Sequence, residues 1–135
     1  MANADHSRQI RAPIAIGELI DKIAILEIKA ERISDQQKLR NVAAELTMLR
    51  ALKTNAGLDT AEMEPYAQEL RSINATLWEI EDALRELEAQ HDFGPHFVKL
   101  ARSVYQTNDR RAGVKLRINK AFGSEIVEEK SYKGI

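Results

Sequence analysis

Tyr66, Leu70, Ile73, Leu77, Ile80, Leu84 and Leu87 recur at alternating four- and three-residue spacing without a break. That is the seam of a helix packed along its whole length, every apolar side chain turned to one side. A strand would need a period of two, so the segment folds as a single long helix. At about 25 to 30 residues it spans roughly 40 Å. The rest of the chain must supply a cover of comparable length.

The other segments also read as helices. Pro13 precedes a first helix over Ile16–Arg32, IGELIDKIAILEIKAER. Leu19, Ile23, Leu26 and Ala30 lie on one side of it, Ile25 and Ile28 on another. A helix apolar nearly all round is buried among several neighbours, so this one is expected at the centre. Ser34 with Gln37 reads as a capping box for a second helix carrying Leu39, Val42, Leu46 and Leu49. Gly57 stands where a glycine would end it. Asp59 with Glu62 reads as the capping box of the third helix, with Pro65 in its first turn. His91–Pro95 makes the next turn, and Pro95 opens a fourth helix that runs to Gly123.

The expected fold class is all-α: an antiparallel four-helix bundle with long third and fourth helices, because short loops make successive helices antiparallel neighbours. Residues 1–12 are expected as a flexible arm, 13–123 as the helical bundle domain and 124–135 as a C-terminal tail. The tail is either disordered or pinned to the bundle or to a second subunit through Ile126, Val127 and Tyr132.

Composition narrows the function. A chain of 135 residues suggests one domain with a core of its own. It has no cysteine, which excludes a thiol nucleophile, a disulfide framework and any thiolate metal site. A net charge of −1 argues against generic nucleic-acid binding, which calls for a basic domain. No run approaches the about 18 apolar residues of a membrane span, and the first residues lack a signal-peptide core. No membrane association and a cytoplasmic location are therefore expected. Neither a phosphate-binding glycine loop nor a metal-ligand spacing occurs, so no cofactor and no metal are expected. Ser103 lies on a helix without an elbow motif around it.

The fourth helix breaks the pattern. Phe97, Val104 and Phe122 share a face with Asn108, Arg111 and Lys115. Charges inside an apolar stripe need partners. In one reading Glu27, within the stripe of helix one, or Glu81, beside the seam, closes an ion-pair layer with Arg111 and Lys115. In the other, Glu27, Asn108, Arg111 and Lys115 line a site for a small anionic ligand, with arginine as a planar fork and lysine as a point charge. The region Asp59–Asp92 holds ten acidic and two basic residues, whereas Lys99–Lys120 holds seven basic and one acidic. Pairing of helix three with helix four is expected from that asymmetry. Arg102, Arg110 and Arg117 would be solvated charges paired in this way. Trp78, the only tryptophan, is expected in core or interface packing.

GELIDKIAILEIKAERI at Gly17–Ile33, LWEIEDALRELEAQHDFG at Leu77–Gly94, FVKLARSVYQTNDRRAGVKLRIN at Phe97–Asn119 and EEKSY at Glu128–Tyr132 together resemble an uncharacterised bacterial helical family, a domain of unknown function. The resemblance implies a bacterial helical protein and transfers no catalytic residue. ELIDKIAIL is also faintly similar to the first helix of the small all-helical chorismate mutases, which hold a dicarboxylate with Arg, Lys and Glu inside a bundle. Those enzymes need an arginine near the start of that helix, and here none precedes Arg32 in it.

Two functions follow as expectations. The first is a structural or protein-interaction module acting as a homodimer, with a further protein partner possible. A helix one of roughly 25 Å cannot cover a seam of roughly 40 Å, and a second copy would cover the remainder. The alternative is a small-anion-binding protein, or a helical enzyme of the chorismate mutase type, built on the Arg/Lys/Glu cluster.

Overall fold

A computed structural model of the chain describes residues 8–134, so the first seven residues of the expected arm and residue 135 lie outside the described part. Four helices make up the described fold, with no strand: α1 (Ile16–Arg32), α2 (Gln36–Asn55), α3 (Glu64–Ala89) and α4 (Pro95–Ala121). None is long and apolar enough to cross a membrane. α1 packs on α2, α3 and α4; α3 also packs on α4, and α2 packs on α1 alone. The helix that is apolar nearly all round thus sits at the centre. Leu19, Ile20, Ile23, Ala24 and Leu26 of α1 meet Val42 and Leu46 of α2, Leu70 and Ile73 of α3, and Val114 and Ile118 of α4.

The capping boxes differ from expectation. α2 is capped one residue later, by Asp35, which accepts the Lys38 backbone N–H at 2.9 Å. Asp59 does not cap α3. It is drawn back to the end of α2, where it accepts from the Thr54 hydroxyl at 2.7 Å and pairs with Lys53 at 3.2 Å. α3 begins only at Glu64, after a turn in which the Thr60 hydroxyl oxygen accepts the Met63 N–H. The ends of α2, α3 and α4 are set by left-handed residues. Gly57 (φ +72°) closes α2, with the Leu58 N–H on the Lys53 carbonyl; Gly123 (φ +68°) closes α4, with the Ser124 N–H on the Asn119 carbonyl. His91 (φ +54°) takes the same role after α3 without glycine's freedom.

α3 and α4 form a hairpin whose two halves differ. At its base, Tyr66 meets Phe122 edge-on at 6.1 Å between ring centres. Leu70, Ile73, Asn74 and Ile80 of α3 are buried there, with Thr107, Val114, Ile118 and Asn119 of α4. Between Ile80 and Thr107 no residue is fully buried. The seam continues through Leu84, Leu87, Phe97, Leu100 and Val104, all half-buried. Phe93, Val98 and Tyr105 are 50%, 50% and 56% exposed. The cause is length: α1 has 17 residues against 26 and 27 in α3 and α4, so it covers only the base.

The expected charge pairing across this hairpin is realised once, between Arg117 and Glu69 at 3.0 Å. Among the described residues, Asp82, Glu86 and Glu88 of α3 and Lys99 and Arg102 of α4 form no ion pair. Apolar side chains fill the junction between the helices, and these charges stay exposed.

Candidate functional site

The centre of the molecule holds a polar layer where α1 meets α4. Asp21 is fully buried, because a residue on a helix that is apolar all round has no solvent to turn to. Such a carboxylate needs partners, and it has three. The Arg111 Nε donates to Asp21 Oδ1 and Oδ2 at 3.0 Å each, and the Arg111 Nη2 donates to Oδ2. The Asn74 Nδ2 donates to Oδ1 at 2.8 Å. Lys115, one turn beyond Arg111, reaches Glu18 at 2.8 Å, Glu128 at 3.4 Å and Asp21 at 3.9 Å. Every buried polar side-chain atom among the described residues has a partner.

The titrations follow. The hydrogen bond to Asp21 raises the Arg111 guanidinium above its ordinary value; burial works against this, and the charges of Asp21, Glu18 and Glu128 add to it. Burial pushes Lys115 down, but the hydrogen bond to Glu18 and the three carboxylate charges outweigh it, and Lys115 is raised. Burial pushes Glu18 up, yet its hydrogen bond with Lys115 and the charges of Lys115 and Lys22 hold it below the usual glutamate range. Each group is fixed in its charged form through the neutral range.

Backbone contacts fasten the layer. Ala15, the N-cap of α1, offers no side-chain cap. The orphan N–H groups turn instead to the end of α4: Gly17 donates to Asn119 Oδ1 at 2.7 Å and Ile16 to Ser124 Oγ at 3.0 Å. A Cβ on Gly17 would collide with the Lys115 carbonyl, so α1 and α4 touch backbone to backbone at the layer. Residues 124–134 lie outside the helices, and through Glu128 they reach Lys115. Ile126, Val127 and Tyr132 stay exposed and do not anchor this tail in the core.

Beside the layer, between α1, α3 and α4, opens a cleft of about 460 Å³. Ile28, Leu77, Trp78 and Val104 are among its apolar walls; Asn74, Asn108 and Arg111 are its inner polar groups. Lys29, Glu81 and Asp82 also line it.

Of the four residues the sequence groups into a site, the structure brings Asn108 and Arg111 to the cleft and sets Lys115 in the layer one turn away. Glu27 lies elsewhere. It pairs with Arg50 of α2 at 2.8 Å and Arg71 of α3 at 3.8 Å. Its place is taken by Asp21 and Glu18, which the sequence reading missed. Their signal was a match of spacing: two acids three apart on α1 against two cations four apart on α4. Glu81 lines the cleft but pairs with Arg85 of its own helix. Trp78 is a half-buried cleft wall rather than a core residue. Among the described residues no group of three His, Asp or Glu side chains is placed to hold a metal.

No curated protein and no solved structure matches the chain. A family model, described as Family of unknown function (DUF6165), matches residues 10–135. The segments that carry the likeness include the helices that build the layer and the EEKSY stretch whose Glu128 reaches Lys115. The chain with its buried Asp21–Arg111 pair therefore belongs to DUF6165, a family of unknown function.

Proposed function

We propose that the chain is a protein-interaction module that acts as a homodimer, joined through the distal half of its α3–α4 hairpin. The observation that carries this is the half-covered seam beyond Ile80, flanked by five charges that form no ion pair among the described residues. Acids (Asp82, Glu86, Glu88) lie on α3 and cations (Lys99, Arg102) on α4. A two-fold axis parallel to the hairpin sets α3 of one copy against α4 of the other. Acid then meets base, and Leu84, Leu87, Phe97 and Val98 gain cover. The same reading takes the helices as an antiparallel bundle, supported by Tyr66 against Phe122 and Glu69 against Arg117 at one end of the hairpin. The anion-site alternative loses ground, because Arg111 and Lys115 already have carboxylate partners.

Light scattering at micromolar concentration tests it. The expected mass is twice the 15.3 kDa of one chain. Val98→Glu with Tyr105→Glu, both at exposed positions, should return the monomer with the helical circular dichroism intact. A monomeric wild type over the accessible concentration range overturns the reading.

A further inference from the structure

The cleft beside the polar layer carries an inference that goes beyond the dimer reading. We propose that it binds an uncharged planar heterocycle that carries a hydrogen-bond donor and acceptor side by side, as the amide edge of a nucleobase or of nicotinamide does.

The inner polar groups support this choice. Asn74 is 7% exposed, and its Nδ2 donates to Asp21. A carboxylate only accepts, so the amide orientation is fixed and the Asn74 Oδ1 faces away from Asp21. Among the described residues nothing donates to that oxygen, although Asn74 lines the cleft. Arg111 uses its Nε and Nη2 on Asp21, which leaves the two N–H groups of Nη1 without a partner among the described residues. Asn108, half-buried, makes no side-chain hydrogen bond among the described residues and supplies one more donor and acceptor. The inner end of the cleft therefore offers both kinds of group together, and an amide can pair with a heterocycle edge in two bonds at once.

Charge and shape select the rest. The Arg111 charge is offset by Asp21, and Lys29 shares the cleft lining with two acids, Glu81 and Asp82. An anion gains nothing from this balance, which sets aside a phosphate or a dicarboxylate. Trp78, Leu77, Ile28 and Val104 form an apolar wall, and an indole is a stacking surface for a flat ring. A cleft of about 460 Å³ lies within the range of small-molecule sites.

Trp78, as the sole tryptophan, provides the assay. Its indole N–H gives one resonance in a ¹H–¹⁵N spectrum, to be followed during titration with nicotinamide, uracil and adenine, and with benzene and benzoate as controls. At least one of the three heterocycles should move the resonance saturably, more tightly than either control. Asn108→Leu should weaken that binding about tenfold at an unchanged melting temperature. Val104→Phe, which fills the cleft, should abolish it and carries the test if the Asn108 variant fails to fold. No saturable shift from any heterocycle at about 10 mM, weaker than even a millimolar site, overturns the proposal. So does equal binding of benzene, which marks a plain apolar hollow, or tighter binding of benzoate, which marks an anion site.

Discussion

The two halves of the α3–α4 hairpin share one seam and have opposite surroundings. At the base the seam is covered by α1, and the charges set into it are paired: Asp21 with Arg111 and Asn74, Lys115 with Glu18. Toward the tip the same seam stays half-open, and Asp82, Glu86, Glu88, Lys99 and Arg102 beside it have no ion-pair partner among the described residues. Periodicity says which way a side chain faces; it does not say whether anything lies there. The base uses its polar residues to fix the register of α1 against α4. The tip leaves its residues available to something else.

The largest effect that could break this contrast comes from Arg111. Arg111→Met strands a fully buried carboxylate, with only Asn74 and a distant Lys115 to compensate. Stability should fall by about 3 to 5 kcal/mol. Adding Asp21→Leu removes the stranded charge and should recover most of that loss. Arg102→Met near the tip has no ion pair to break and should stay within about 0.5 kcal/mol in the monomer. Glu27→Ala, at a pair whose arginine side chain is 56% exposed, should cost less than about 1 kcal/mol. Denaturant unfolding of the four variants gives the comparison, and similar losses at Arg111 and Arg102 would refute it.

A smaller effect separates two glycines. Gly17→Ala drives a methyl into the Lys115 carbonyl and should cost about 1 to 3 kcal/mol as α1 and α4 are forced apart. Gly113→Ala meets nothing within 4 Å on an exposed face of α4, so alanine's helix preference should stabilise by up to about 1 kcal/mol. Thermal unfolding reads the signs directly. A neutral Gly17→Ala would mean that the contact at the layer yields, and that Arg111 rather than backbone proximity sets the register.

Much of this was legible in the sequence, for reasons that also mark its limit. The apolar run after Pro13, Pro95 and the two glycines at 57 and 123 report local geometry, and they gave α1 its bounds, α2 its end, and α4 its start and end. The capping boxes misled because Asp59 had a competing pair of partners, Lys53 and Thr54, just behind it. The need of Arg111 and Lys115 for carboxylates was legible from their place in an apolar stripe. The identity of those carboxylates was not, since it depends on how α1 slides along α4. That offset comes from the Gly17 contact and the Asn119 and Ser124 hydrogen bonds, all of them about a hundred residues apart in the chain. An open site at Asn108 and Arg111 was one of two readings, and its other walls were not legible because they depend on where the cover of α1 ends.

The smallest expected effect is on pH dependence, and it sharpens the contrast from both sides. Glu18 is held below its ordinary value in the folded chain. Its contribution to stability is therefore complete above the unfolded glutamate value of about 4.3, and is lost as pH falls through the lower folded value. Lys115 is raised. Its contribution is complete below the unfolded lysine value of about 10.4, and is lost as pH rises through the higher folded value. Arg111, raised from an already high value, stays charged throughout. Melting temperature should thus be flat between about pH 5 and 10 as far as the layer is concerned, with a shoulder at each end. Glu18→Gln should weaken both shoulders at once, because it removes one titrating group and the chief partner of the other. The acid shoulder keeps a remnant from Asp59, which its hydrogen bond with Thr54 and then Lys53 hold low. Lys99→Met at the tip should leave both shoulders of the monomer as they were, since Lys99 forms no ion pair among the described residues. If Glu18→Gln changes neither shoulder, Glu18 and Lys115 do not act as a pair, and the layer reduces to Asp21 and Arg111 alone.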